Sequence, residues 1–339
     1  MKTKLLCIVM MLLLPCSFSH AGPAAPEEID IQESDGAKFK AKIHGDEFQS
    51  WVEAVDSGHT ILHNKNSDRW EYAEKLPDGS LKPSGIRVDP KGEFAPTFLE
   101  RGVKPERDLE RERQQSDSLK KTYEDRMGPS FSSGSETGDS QFSDPFAAPG
   151  DWVATPVSGA RPLLVILVNF ANRTLTTTAD SWYQTIFNTT PGVKSVANFY
   201  SENSFGNLSL VPAFTGGSHP GVVSVTVADN HPNSGQATNY AVETTIISHA
   251  LAQAAATVDL SGFDPATGSV YLIYAGYEAS GGIKTPNIWA HAWSGSVTGG
   301  PLTISRCALN GELHNSDVQH PMGVIAHELG HALCGLPDL

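Results

Sequence analysis

The sequence contains little cysteine, few basic residues and, beyond its first residues, no long apolar run. Lys and Arg total 24 against 38 Asp and Glu, so the formal net charge is -14. This acidic balance excludes a nucleic-acid partner bound through a basic surface, and it gives no support to binding of an anionic membrane. Because no later apolar run reaches the ~20 residues that span a bilayer, we expect no membrane span in the mature chain. The 339 residues, 39% of them apolar, suffice for about two packed domains.

The N-terminus has the features of an export signal. Lys2 and Lys4 precede an apolar run at Leu5–Leu14, and Ser19-His20-Ala21 places small residues at the two positions that a signal peptidase reads. We therefore predict a signal peptide over residues 1–21 and a secreted, extracellular protein.

The four cysteines divide between this signal and the far end of the chain. Cys7 and Cys16 leave with the signal, whereas Cys307 and Cys334 remain. An even pair in an oxidising compartment predicts one disulfide between Cys307 and Cys334. The alternative is that Cys334, three residues after His331, ligates a metal ion.

Charge density divides the mature chain into two halves. Residues 22–150 hold 43 charged side chains in 129 positions, but residues 151–339 hold only 17 in 189. Alternating apolar residues and turn sequences predict a small β-rich unit within 22–127, and a Ser-, Gly- and Pro-rich stretch at 128–150 predicts a flexible linker. A stretch of this composition is what we expect before a catalytic domain whose pro-segment is removed by proteolysis. An ordinary linker between two permanent domains would have the same composition. In the first unit the predicted strands are Phe48–Val55, Ile61–His63 and Asp68–Ala73.

The second half alternates strand and helix patterns, which favours an α+β domain with helices packed on a mixed sheet. Leu163–Val168 is a continuous apolar run of strand length, so we expect a central strand that is covered on both faces. Thr178 is placed to cap a helix that begins near Ala179. The further predicted strands are Leu208–Val211, Val222–Val227, Val270–Tyr274 and Ile288–Trp293, and the further predicted helices are Val193–Tyr200, Tyr240–Val258 and Gly323–Cys334.

The clearest chemical pattern is His327-Glu328-Leu329-Gly330-His331. Residues four apart on a helix share one face, so both imidazoles can reach the same ion, and neutral imidazole nitrogen is a preferred ligand of Zn²⁺. Glu328 adjoins the first histidine and is placed to move a proton from an attacking water to the leaving amine of a peptide. We therefore predict a Zn²⁺ site with His327 and His331 as ligands and Glu328 as catalytic base. A helix with two surface histidines is the alternative.

A catalytic zinc ion usually has three protein ligands. Gly335 is predicted to end the helix in the left-handed conformation, so the chain turns back and Asp338 becomes the predicted third ligand. The alternative is that Asp338 only caps or pairs locally. His314 and His320 precede the helix in predicted loops and are weaker candidates. His291, between two tryptophans on a predicted strand, is expected to be a core or rim histidine.

Several segments, in matching order, resemble the immune inhibitor A-like secreted zinc metallopeptidases, a family within the metzincin-type zincins. They are Pro162–Phe170, Ser195–Gly206, Ile288–Trp293 and His327–Leu339. Gly45–Ala73 is also similar to the N-terminal pro-region of such proteins. The resemblance implies a zincin-like catalytic domain over 151–339, preceded by a pro-region over 22–127.

The resemblance further implies a secreted precursor of a zinc-dependent endopeptidase that hydrolyses extracellular protein or peptide substrates. Carried onto this chain, the family pattern makes His327 and His331 zinc ligands, Glu328 the catalytic base and Asp338 the third ligand. Metzincins continue past this aspartate into a subdomain with a methionine-containing turn, so the domain over 151–339 is expected to be truncated at its C-terminus. The alternatives are a non-catalytic secreted zinc-binding or adhesion protein on a zincin scaffold, and a defective product that fails to fold.

Overall fold

The computed structural model describes Ala24 and residues 27–46, 48–107, 109–110, 157–235 and 240–336. The predicted signal peptide (1–21), the predicted linker (128–150) and Asp338 lie outside the described residues. The described residues contain two β-sheets and a small number of helices, so the coarse α+β class is confirmed.

The N-terminal sheet is a six-stranded antiparallel sheet in which each strand pairs with its neighbours along the chain. In β2, the apolar side chains Phe39, Ala41 and Ile43 are buried. Lys38 and Lys40, which alternate with them, are exposed, as the two-residue period of a strand requires. The three strands predicted in this unit are confirmed as β3, β4 and β5. The strands are β1 Ile29–Gln32, β2 Lys38–Gly45, β3 Ser50–Ala54, β4 His59–Asn64, β5 Arg69–Lys75 and β6 Leu81–Arg87.

The second sheet has seven strands and is mostly parallel. Its main order is β12-β13-β10-β7-β8, with β9 beside the second half of β7 and the short β11 beside β10. Among the described strands of this sheet, the outer strand β12 is the one that is antiparallel to its neighbour, β13. The strands are β7 Gly159–Asn169, β8 Leu208–Pro212, β9 Val222–Thr226, β10 Ser269–Glu278, β11 Asn287–Ile288, β12 His291–Gly299 and β13 Leu302–Leu313.

Helices cover both faces of the second sheet. The helices are α1 Ala179–Phe187, α2 Val196–Asn203, α3 Tyr240–Thr257 and α4 Met322–Leu329, which continues as a π-helical turn, Gly330–Cys334. Alternate residues of β7 enter two separate apolar clusters: Leu164 and Ile166 pack with α3, whereas Leu163 and Val165 pack with α1, α2 and α4. The residues over Leu163–Val168 are at most 1% exposed, so the prediction of a central strand covered on both faces is confirmed.

Local capping explains where the first two of these helices begin. The Thr178 hydroxyl accepts a hydrogen bond from the backbone N–H of Ser181 at 3.1 Å, and the predicted cap of α1 is confirmed. The helix predicted to begin at Val193 instead begins at Val196, because Ser195 is its N-cap and accepts from the backbone N–H of Asn198 at 3.1 Å.

The predicted strand Ile288–Trp293 is interrupted. The backbone N–H of Ala290 donates to a Glu278 carboxylate oxygen at 2.9 Å, and that of Trp289 donates to the carbonyl of Gly235 at 3.1 Å. The first group is therefore diverted from the hydrogen-bond ladder and the second forms an isolated bridge to Gly235, so the chain forms β11 and β12 on either side. Among the described residues, no helix is long and apolar enough to cross a membrane.

Candidate metal centre

Helix α4 presents one apolar and one polar face. It follows the long strand β13 after a short turn, and Pro321 is the residue at its N-cap position. Ile325 and Leu329 are fully buried against the face of the sheet that also carries α1 and α2. His327, two residues after Ile325, is only partly buried. The 3.6-residue period of the helix therefore places His327 and, one turn later, His331 beside each other.

The two imidazoles converge on one point. Their Nε2 atoms lie 2.6 Å apart, and the ring planes are perpendicular with centroids 4.2 Å apart. One carboxylate oxygen of Glu328 lies within 4.8 Å of both ring nitrogens. Of the residues with described placement, these three form the one group of three or more potential metal ligands. The structure therefore brings together three of the four residues predicted for the site.

A hydrogen bond at Nδ1 of His331, the ring nitrogen that faces away from His327, determines which nitrogen of this ring can ligate an ion. Its Nδ1 lies 2.5 Å from the carbonyl oxygen of Leu336, and because a carbonyl only accepts, Nδ1 carries the proton. In the neutral ring, Nε2 then presents its lone pair toward His327. Two convergent imidazole nitrogens are donors that suit Zn²⁺, and the Glu328 carboxylate beside them is placed to act as a base, so the residues fit the metal that the sequence predicts.

The chain reverses direction directly after the second histidine. Gly335 has φ 68° and ψ 25°, the left-handed conformation predicted for it, and its N–H donates to the carbonyl of His331 at 2.9 Å. The N–H of Leu336 donates back to the carbonyl of Gly330 at 3.2 Å. This reversal brings the Leu336 carbonyl back to the His331 ring, while Asp338, the predicted third ligand, lies outside the described residues.

Glu328 is 1% exposed and shares its surroundings with two buried phenols. Burial, with the charges of Cys334 and Glu328 added, raises the pKa of Tyr200 well above its ordinary value. Burial and the nearby charge of Glu328 likewise raise the pKa of Tyr271. Both tyrosines therefore remain neutral near pH 7, beside the Glu328 carboxyl group.

Tyr200 was not predicted as part of the site, although it belongs to it. The side chain extends from α2, and its hydroxyl donates to the carbonyl of Ala326 at 2.5 Å, one residue before His327. This hydrogen bond connects α4, at the residue before His327, to the neighbouring helix α2. Its sequence signal was weak, because nothing in the pattern around Tyr200 indicates which helix its hydroxyl meets 126 residues later.

The other candidate histidines take no part in the cluster. The His314 Nδ1 contacts the Ser316 hydroxyl at 3.0 Å, and burial lowers the pKa of His320 to about 4. The expectation that His291 is a core histidine is confirmed, since it is fully buried and its Nε2 lies 3.0 Å from a Glu243 carboxylate oxygen.

The predicted disulfide between Cys307 and Cys334 is wrong. Neither residue is in a disulfide. Cys307 lies on β13 in the apolar cluster that faces α3, whereas Cys334 packs against the cluster on the opposite face of the sheet. The sheet separates the two sulfur atoms, because side chains from its two faces cannot meet.

Comparison with known proteins adds no identification. No family model matches this chain, and no curated protein matches its sequence.

Proposed function

We propose that this chain is the secreted precursor of a zinc-dependent endopeptidase. The observation that carries the proposal is the convergence of the His327 and His331 Nε2 atoms, 2.6 Å apart, beside the buried carboxylate of Glu328. A carboxylate beside an imidazole pair on one helix provides both a metal site and a proton acceptor, which are the two requirements of metal-assisted peptide hydrolysis.

The arrangement of the second sheet supports a zincin-like catalytic domain. A mostly parallel sheet ends in one antiparallel outer strand, β12, and its neighbour β13 leads into the helix that holds the histidines. Helix α4 packs on the face of the sheet next to α2, so His327 and His331 stand on helical turns that are packed against the core. Rigid placement favours catalysis, because small displacements of catalytic groups cost large factors in rate.

Each residue has a definite role in this proposal. His327 and His331 hold the ion through their Nε2 atoms, and Asp338 is the proposed third ligand. When bound, Zn²⁺ polarises the scissile carbonyl and makes water more acidic. Glu328 accepts the proton of the water that attacks the carbonyl carbon, then delivers it to the nitrogen of the breaking C–N bond, so that an amine leaves. Tyr200 keeps α4 in position through the Ala326 carbonyl.

The export signal and the composition of the first half support a precursor. We propose that residues 1–21 direct secretion, that residues 22–127 form a pro-region, and that extracellular proteins or peptides are the substrates. The acidic sequence, with 24 basic against 38 acidic residues, fits a freely diffusing extracellular enzyme better than a nucleic-acid-binding one.

Zinc content and casein hydrolysis, measured in the same samples, test the proposal. We expect one zinc ion per wild-type chain, loss of zinc in His331→Ala, and cleavage that a chelator stops. Glu328→Gln is expected to keep its zinc while hydrolysis falls by ~100-fold or more, because the base is lost and the ligands remain. His249→Ala and Glu202→Gln are matched controls, since both side chains are exposed on other helices.

Three outcomes would count against the proposal in different ways. Zinc binding without hydrolysis in any sample would indicate the non-catalytic zinc-binding protein instead. A folded wild-type chain without zinc would reject the metal site. Equal activity of Glu328→Gln and wild type would reject Glu328 as the base.

A further inference from the structure

The apolar face of the N-terminal sheet is completed by residues from the second unit. One buried cluster contains the inner side chains of β1 to β5 together with two side chains from the segment between β10 and β12. From the second unit come Ala279 and Trp289, which are 3% and 1% exposed, with Ile283 packed at the edge. From the N-terminal sheet and the turn after it come Ile31, Phe39, Ala41, Ile43, Val52, Ala54, Ile61, Tyr72 and Val88.

The backbone around Trp289 is held by its own unit. One oxygen of the fully buried Glu278 carboxylate accepts from the N–H groups of Ser280 at 3.1 Å and Ala290 at 2.9 Å, and the other accepts from Gly311 at 3.0 Å. The N–H of Trp289 donates to the Gly235 carbonyl at 3.1 Å. Residues 279–289, the docking segment, are therefore fixed at both ends and present an indole ring in a defined position.

We propose that the docking segment is the binding surface for the N-terminal sheet, and that this contact holds the two units together after the chain between them is cut. Buried tryptophans are enriched among the residues that contribute most of the binding energy of an interface, and Trp289 is 1% exposed. The partner surface is complementary, because it is an apolar face made of β-branched, aromatic and small side chains.

The same contact also has an energetic cost. The Trp289 indole N–H is buried without a hydrogen-bond acceptor in the described part of the chain. Separation of the units would return this donor to water, which offsets part of the apolar burial lost. The inference concerns association alone, so it does not depend on the proposed hydrolysis.

The experiment uses the full chain with the recognition sequence of a site-specific protease inserted between residues 128 and 150. Glu328→Gln serves as background, so self-cleavage cannot obscure the result. After cutting, we expect the two fragments to co-elute in gel filtration at micromolar concentration. Trp289→Ala should weaken the association by at least ~30-fold and let the fragments elute separately. Phe205→Ala, which removes a 93% exposed aromatic ring outside the cluster, should leave co-elution unchanged.

Separation of the unsubstituted fragments, or co-elution of the Trp289→Ala fragments with unchanged affinity, would overturn the proposal. Circular dichroism of the uncut variant shows whether Trp289→Ala folds. If it does not, Ile283→Ser decides the question, because this side chain lies at the edge of the contact and is only partly buried. Weaker association of the Ile283→Ser fragments by tenfold or more supports the docking surface, and an unchanged dissociation constant rejects it.

Discussion

Replacing His291 with alanine is expected to destabilise the second unit strongly and to leave its zinc content unchanged. His291 and Glu243 are each about 1% exposed, and they join β12 to helix α3 through an Nε2–Oε2 distance of 3.0 Å. The His291 Nδ1 lies 2.8 Å from the Trp289 carbonyl and donates to it, so both ring nitrogens are engaged. Alanine would leave the Glu243 carboxylate buried without this partner. Breaking a buried pair in this way costs about 3–5 kcal/mol, a large part of the about 5–15 kcal/mol that stabilises a typical domain.

Urea denaturation followed by circular dichroism measures this loss, and the exposed pair of His249 and Asp229 provides the matched control. Those two atoms lie 2.7 Å apart, but the His249 side chain is 53% exposed, so His249→Ala should cost at most about 1 kcal/mol. A double-mutant cycle of His291→Ala with Glu243→Gln should show a coupling well above that of the exposed pair. The reasoning fails if His291→Ala is no more destabilising than His249→Ala. Loss of zinc from a variant that remains folded by circular dichroism would show that His291 belongs to the metal centre.

Three further predictions concern single side chains and their surroundings. Tyr200→Phe removes the hydroxyl that donates to the Ala326 carbonyl, so the unfolding free energy should fall by about 1 kcal/mol in thermal denaturation while zinc is retained. Because burial lowers the pKa of His320 to about 4, the unfolded chain binds one more proton between about pH 6.5 and 4. The contribution of neutral, buried His320 to the unfolding free energy is complete above pH ~6.5 and is lost as the pH falls toward 4. In urea titrations at several pH values, His320→Gln should therefore lose about 3 kcal/mol less unfolding free energy over this range than the wild type. Mass spectrometry after alkylation in denaturant should find Cys307 and Cys334 both modified without prior reduction. If both thiols are alkylated only after a reductant is added, the two residues do form a disulfide.

Much of the second sheet could be predicted because its signals are local. The run at Leu163–Val168 is apolar at every position, and only a strand with neighbours on both faces buries such a run. The cap at Thr178 and the left-handed residue at Gly335 depend on a few neighbouring atoms. Strand β13, by contrast, was not predicted, because Arg306, Asn310 and Glu312 interrupt its apolar pattern although all three are buried.

The sequence by itself determined the candidate metal centre, since two histidines four residues apart share a helix face wherever that helix lies. Only the tertiary structure decided what surrounds it. The hydroxyl of Tyr200 reaches α4 across 126 residues, and Cys307 and Cys334 are kept apart by the sheet although the chain suggested a pair. The apolar face that covers Trp289 likewise comes from strands more than 200 positions earlier in the chain. Such contacts depend on how distant elements pack, and packing is a property of the whole fold rather than of any local segment.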